Sequence, residues 1–192
     1  MEKKPAAAPD ATKMALTASL KRLMAQKPLN KISIREITEG CGVNRQTFYY
    51  HFEDIYDQVK WMYQQEAISL LAQHEGVLVW QDGLLQLFRY LQNNRAVCLC
   101  TLRSMGRAHL KRFFLADIHA IIHRTIDSLF EGMPLPAEQQ ELSTHFYVVA
   151  LAVMIESWLL GEIDRSPEEL VSFADDMIQD QMAGARLRLG IA

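Results

Sequence analysis

Residues 32–52, ISIREITEGCGVNRQTFYYHF, constrain the fold of this chain more than any other stretch. They read as two short helices joined by a tight turn. Ser33 is placed to N-cap the first helix, and Glu36 stands three residues later, the reciprocal capping-box pattern. Ile34 and Ile37 share one face of that helix. Gly40 and Gly42 flank Cys41 and turn the chain at low steric cost. Asn44 is a good N-cap for a second helix. That helix buries Phe48 and Phe52 and leaves Arg45, Gln46, Thr47, Tyr49, Tyr50 and His51 on its outer side. A helix, a glycine-bearing turn and a second helix led by hydrogen-bonding side chains form a helix-turn-helix, a DNA-reading motif.

The block GVNRQTFYYHF resembles the recognition segment of the TetR/AcrR family of bacterial transcription regulators. Gly42, Val43, Thr47, Phe48, Tyr49, His51 and Phe52 match its recurring positions. The longer stretch NRQTFYYHFEDIYDQVKWMYQQEA is similar to the dihydroxyacetone-kinase regulator branch. The specific motif covers about residues 11–66, and beyond it the likeness is one of helical pattern. The resemblance implies an all-α chain: an N-terminal three-helix DNA-binding domain and a C-terminal helical bundle for dimerisation and ligand binding. It also assigns phosphate contacts to Thr47, Tyr49 and His51. The residue chemistry adds base contacts. Arg45 can pair bidentately with a guanine, Gln46 with an adenine, and Tyr50 can touch a thymine methyl. Arg35 and Asn44 complete the candidate DNA-binding set. One position departs from the family. Many members open the next helix with a lysine that clamps a phosphate, whereas this chain has Ile55. Phosphate binding then falls to Arg22, Lys31, Arg35 and the recognition helix.

Charge follows the same division. Net charge is −3 over 192 residues, but residues 1–60 carry +3 and residues 61–192 carry −6. A mildly basic head on an acidic body suits a protein that touches phosphates with one end only. The domain boundaries expected are a lead-in over 1–10, a DNA-binding domain over 11–53, and an effector-binding and dimerisation domain over 54–192. The lead-in lacks the apolar core of a signal peptide. Three cysteines, Cys41, Cys98 and Cys100, show no disulfide-framework spacing and point to a reducing cytoplasm.

Apolar residues recur at helical spacing almost throughout. Helices are expected over about 10–26, 54–74, 81–94, 95–104, 108–130, 137–160 and 167–182. Phe114 sits on the inner face of the fifth of these, Gly76 breaks the pattern, and Gly132, Pro134 and Pro136 form a linker. No apolar run is expected to span a membrane, because Glu156 and Ser157 interrupt the longest.

The helix over 137–160 carries Phe146, Val149, Ala150, Val153 and Met154 on one stripe, and Val148, Leu151, Ile155 and Leu159 on another. A helix apolar on two sides is buried on two sides, by its own core and by a second subunit. A central core helix in a monomer is the alternative. With Phe173 and Met177 of the last helix, the first stripe is the candidate homodimer interface, which the resemblance also implies. Arg103, His123, Tyr147 and Trp158 are candidates for a ligand pocket, whose effector is a small molecule or a regulatory protein. His119 and His123 have a zinc-compatible spacing that no further ligand motif completes, so no metal or cofactor is expected.

The reading is therefore a homodimer that binds a pseudo-palindromic operator in double-stranded DNA, most simply as a ligand-released repressor. Two rivals stand beside it. One is a partner-dependent activator or adaptor of the same fold with weak DNA binding of its own. The other is a small helical enzyme, for which no catalytic set is present.

Overall fold

The computed structural model describes residues 9–73, 80–131 and 136–190, with side chains of 9–10 and 106–117 set aside. Residues 1–8, Gly76, Gly132 and Pro134, and the Phe114 side chain, lie outside the described part. Among the described residues every regular element is helical. Helix α1 (Pro9–Met24) leads to a single 3₁₀ turn at Leu29–Lys31, then α2 (Ile34–Glu39) and α3 (Arg45–His51). Helix α4 (Ile55–Tyr63) passes through a π-helical turn, Gln64–Ile68, into the short α5 (Ser69–Ala72). The body continues with α6 (Trp80–Asn93), α7 (Arg95–Leu129), α8 (Ala137–Leu160) and α9 (Pro167–Leu189).

Local chemistry sets the first three helices. The Ser33 hydroxyl accepts from Glu36 N, and the Glu36 carboxylate accepts from Ser33 N at 2.9 Å, closing the capping box. Asn44 Oδ1 accepts from Thr47 N at 2.8 Å and so starts α3. Gly42 has φ +71°, a left-handed turn that a side chain would strain. Gly40 packs so closely on α1 that a Cβ there would strike the Ser19 hydroxyl. Leu16, Leu20, Ile37 and Phe48 are wholly buried, and Phe52 nearly so. Val43 is half-buried and packs against that core. This small core fixes α3 across α1 and α2.

Three expectations need correction. The helices expected over 95–104 and 108–130 are one 35-residue helix, α7. A glycine such as Gly106 costs a helix only about 1 kcal/mol, and packing along α8 outweighs that. The helix expected over 54–74 is interrupted by the π turn. Helix α8 is, by length and composition, apolar enough to cross a membrane, because Glu156 is too sparse a charge to break its apolar stretch. In the fold α8 packs along α7, while α9 packs on α6.

Candidate DNA-reading surface and effector cavities

The leading edge of α3 points outward. Arg45 and Gln46 are exposed, Tyr49 is 54% exposed and Tyr50 81%, while Thr47 and His51 are half-buried. The His51 ring meets Tyr50 edge-on at 4.9 Å. Exposed apolar rings beside polar side chains on one short helix form a surface that a major groove can accept. Asn44 is exposed, but its amide oxygen is engaged in the N-cap, where it also accepts from Thr47 Oγ1 at 3.1 Å. Arg35 lies on α2 and pairs with Glu39 at 2.7 Å, both well exposed. Arg22 donates to Gly40 O at 2.8 Å, bracing the turn before α3. Ile55 is half-buried and packs against the core, so the position a lysine would occupy serves packing instead.

Glu36 has a second partner. Lys27 Nζ lies 2.5 Å from its carboxylate. The hydrogen bond from Lys27, then those from Ser33, hold the Glu36 carboxyl down to about 2. A folded value below the ordinary 4.5 stabilises the fold above that pH. This stability is lost as pH falls through the folded value. Urea titrations monitored by circular dichroism should therefore show the reader weakening from about pH 4.5 towards about pH 2. Glu36→Gln should flatten that dependence; an unchanged acid profile would contradict the role.

Polar contacts join the reader to the body beside an apolar core that runs through both. Lys21 of α1 pairs with Glu66 of the π turn at 2.6 Å and lies over the Tyr90 ring of α6 at 5.6 Å. The Tyr90 hydroxyl donates to the same carboxylate at 2.9 Å. Burial, and then the neighbouring Glu66 charge, push the Tyr90 phenol well above its ordinary range, which keeps it a donor. Leu29 N donates to Ser104 Oγ of α7 at 3.2 Å, and Cys100 Sγ reaches Lys27 O at 3.5 Å. Tyr63 and Thr101 share a buried hydrogen bond of 3.0 Å. Burial also raises the Cys98 thiol, which disfavours the thiolate an oxidant sensor needs.

Among the described residues, two apolar cavities open in the body. The first, about 480 Å³, lies among α6, α7, α8 and α9, and the second, about 400 Å³, among α4 to α8. Of the four residues expected in a pocket, Tyr147 lines the first cavity, and its hydroxyl donates to Gln181 Oε1. The other three line neither cavity. Arg103 is exposed on α7. His123 sits 3.3 Å from Asp127, and Trp158 packs edge-on against Phe88 at 5.2 Å and donates to Arg165 O. His119 reaches Glu141 of α8 at 3.1 Å, but among the described residues no three such groups are set to hold a metal ion.

The candidate interface residues lie on the outer faces of α8 and α9. Phe146 is 65% exposed, Val153 and Phe173 56% each, and Val149, Ala150 and Met177 are also exposed, while Met154 is half-buried. Sequence reasoning missed the Lys21–Glu66 pair and the floor of the first cavity, Trp80, Leu84 and Ile126. Period-3.6 spacing marks such residues as core and carries no mark of a void beside them.

Residues 16–57 match the family model described as Bacterial regulatory proteins, tetR family, and residues 79–180 match that described as Transcriptional regulator C-terminal region. The chain belongs to the TetR family and is a transcriptional regulator. It is similar to the HTH-type dhaKLM operon transcriptional activator DhaS of Lactococcus lactis subsp. lactis (strain IL1403), at 29% identity over 84 residues. That match covers 44% of this chain and 45% of the relative, so it spans less than half of the relative's length. Two solved structures share the fold. One is the Dihydroxyacetone kinase operon activator DhaS, with TM-score 0.72, 22% identity, and 90% of this chain and 96% of that one covered. The other is a putative transcriptional regulator from Pseudomonas aeruginosa PAO1, with TM-score 0.69, 16% identity and 96% of each chain covered. Family and neighbours are regulators of transcription, not enzymes.

Proposed function

We propose that the protein acts in the cytoplasm as a homodimer that reads a pseudo-palindromic operator, with an effector in the body setting the spacing of its two readers. The exposed polar edge of the capped helix α3 carries this reading. Residues 11–53 serve as the DNA-binding domain and 54–192 as the effector and dimerisation domain. Arg45 and Gln46 read bases, with Tyr50 beside them; Thr47, Tyr49 and His51 hold phosphates, helped by Arg35 and Asn44. The exposed apolar residues of α8 and α9 pair with those of a second copy, which places two readers on two half-sites.

Genome-wide binding with recovery of the bound sequence tests this; a bound set without a two-fold motif would count against it. Arg45→Ala should lose about 1–3 kcal/mol of operator affinity and relax preference at one base pair per half-site. Equal binding by parent and variant at matched salt would remove Arg45 from base reading.

The sign of regulation has two readings. Release of a repressor by a small effector is the simpler. Activation with a partner protein is favoured by the name of the lactococcal relative, a transcriptional activator. Deleting the gene should raise transcription from the bound operator in the first case and lower it in the second.

A further inference from the structure

Helix α2 carries one ion pair set against its own dipole. Arg35 stands in its first turn, and Glu39 is its last residue. A helix favours an anion at its start and a cation at its end, and an i,i+4 pair is better with the acid first. Arg35 and Glu39 reverse both preferences, so the pair does little for the helix. Their 2.7 Å contact lies in water, with side chains 77% and 61% exposed, where an ion pair is weak and readily exchanged. It is a single hydrogen bond from Arg35 Nε. Glu39 also adjoins the reading helix, since its carbonyl accepts from Gly42 N in the turn that leads to α3. Other cations of the reader are already engaged. Lys21 and Lys27 are held by Glu66 and Glu36, and Arg22 donates to Gly40 O. Lys31 and Arg45 are exposed and pair with no described carboxylate. Arg35 is exposed as they are, but Glu39 offsets its charge.

We propose that Glu39 is a specificity residue for DNA reading: its carboxylate competes with phosphate for Arg35 and keeps that cation from unrelated DNA. The inference rests on the DNA-reading role of α3 and Arg35 proposed above. Unrelated DNA is held by phosphate contacts, so each cation withheld lowers that affinity. There the Arg35–Glu39 pair counts as nearly neutral. On the operator, base contacts seat α3 in the groove while α2 crosses the backbone. A phosphate in that fixed register can take the Arg35 guanidinium bidentately, which the single bond to Glu39 does not match. The pair opens where α3 is seated and stays closed elsewhere.

The test uses the full chain with Glu39→Gln and Arg35→Ala, singly and together, on two duplexes of equal length: the recovered operator and a scrambled copy of it. Glu39→Gln keeps an acceptor for Arg35 and removes the charge. On scrambled DNA it should steepen the log–log salt slope by about 0.9 for each reader engaged, which at physiological salt tightens binding about fivefold per reader. Operator affinity should stay within about twofold. In the Arg35→Ala background the same substitution should leave both duplexes within about twofold, because the two residues act as one unit. Parental affinity and slope of Glu39→Gln on scrambled DNA would overturn the proposal, and the DNA-reading role would still stand if Arg45→Ala weakened the operator complex. Weaker binding to both duplexes would make Glu39 an aid to Arg35 rather than its competitor. An equal gain on both duplexes, or a gain that persists without Arg35, would refute selective release of the pair. A parent chain that does not prefer the operator over its scrambled copy would sink the DNA-reading role itself, and this proposal with it.

Discussion

Phe48→Ala should unfold the reader, at a cost of about 3–5 kcal/mol. Phe48 is wholly buried. Its ring meets Tyr49 edge-on at 5.7 Å and Phe52 at 5.8 Å, so it joins the recognition helix to the residue that ends it. Truncation leaves a void in a core of few large side chains, where little can collapse inward. Phe48 and its ring partners belong to the reader, so assembly of the body should persist while operator binding disappears. Chemical denaturation followed beside operator binding checks both effects. A variant with the parent's denaturation profile and affinity would show that the reader is held by something other than this packing.

Phe173→Asp should convert the proposed dimer to monomers. In a lone chain Phe173 is 56% exposed, so an aspartate there stays in water and costs the fold little. Against a second copy the same carboxylate would be buried and unpaired, which is strongly destabilising. The substitution therefore acts on assembly and spares folding. A monomer holds one half-site at a time, and loss of the second attachment should weaken operator binding roughly a hundredfold to ten-thousandfold. Light scattering and operator titration on one preparation provide the check. A Phe173→Asp dimer with parental affinity would place the interface elsewhere.

Both expectations concern parts of the molecule that differ in how plainly the chain declares them. The reader was legible because its determinants are near neighbours: Ser33 and Glu36 cap across three residues, Asn44 and Thr47 do the same, and Phe48 and Phe52 share a face. Such spacing encodes geometry directly. The junction was not, because Lys21 and Glu66 are 45 residues apart and nothing local ties one to the other. The π turn was hidden by ordinary spacing, since Tyr63, Ala67 and Leu71 are each four apart and all buried, as in an unbroken α-helix. Arg103, His123 and Trp158 looked like pocket residues because polar and aromatic side chains stand out in an apolar stretch. In the fold Arg103 is exposed, and the other two pair with near neighbours in the chain. The cavity floor is marked by no residue type at all: Trp80, Leu84 and Ile126 have the spacing of ordinary core positions.

The Lys21–Glu66–Tyr90 contact limits how freely this regulator can be rebuilt from parts. A hybrid that joins another family member's DNA-binding head to this body brings its own residue to the place of Lys21. Unless that residue is cationic, the Glu66 carboxylate keeps the Tyr90 hydroxyl as donor but loses its counter-charge. The same graft must also supply a backbone N–H for Ser104 and a carbonyl for Cys100. Heads with a lysine or arginine at that place are the ones to exchange, and a hybrid without one should regain function through a neutral replacement at Glu66.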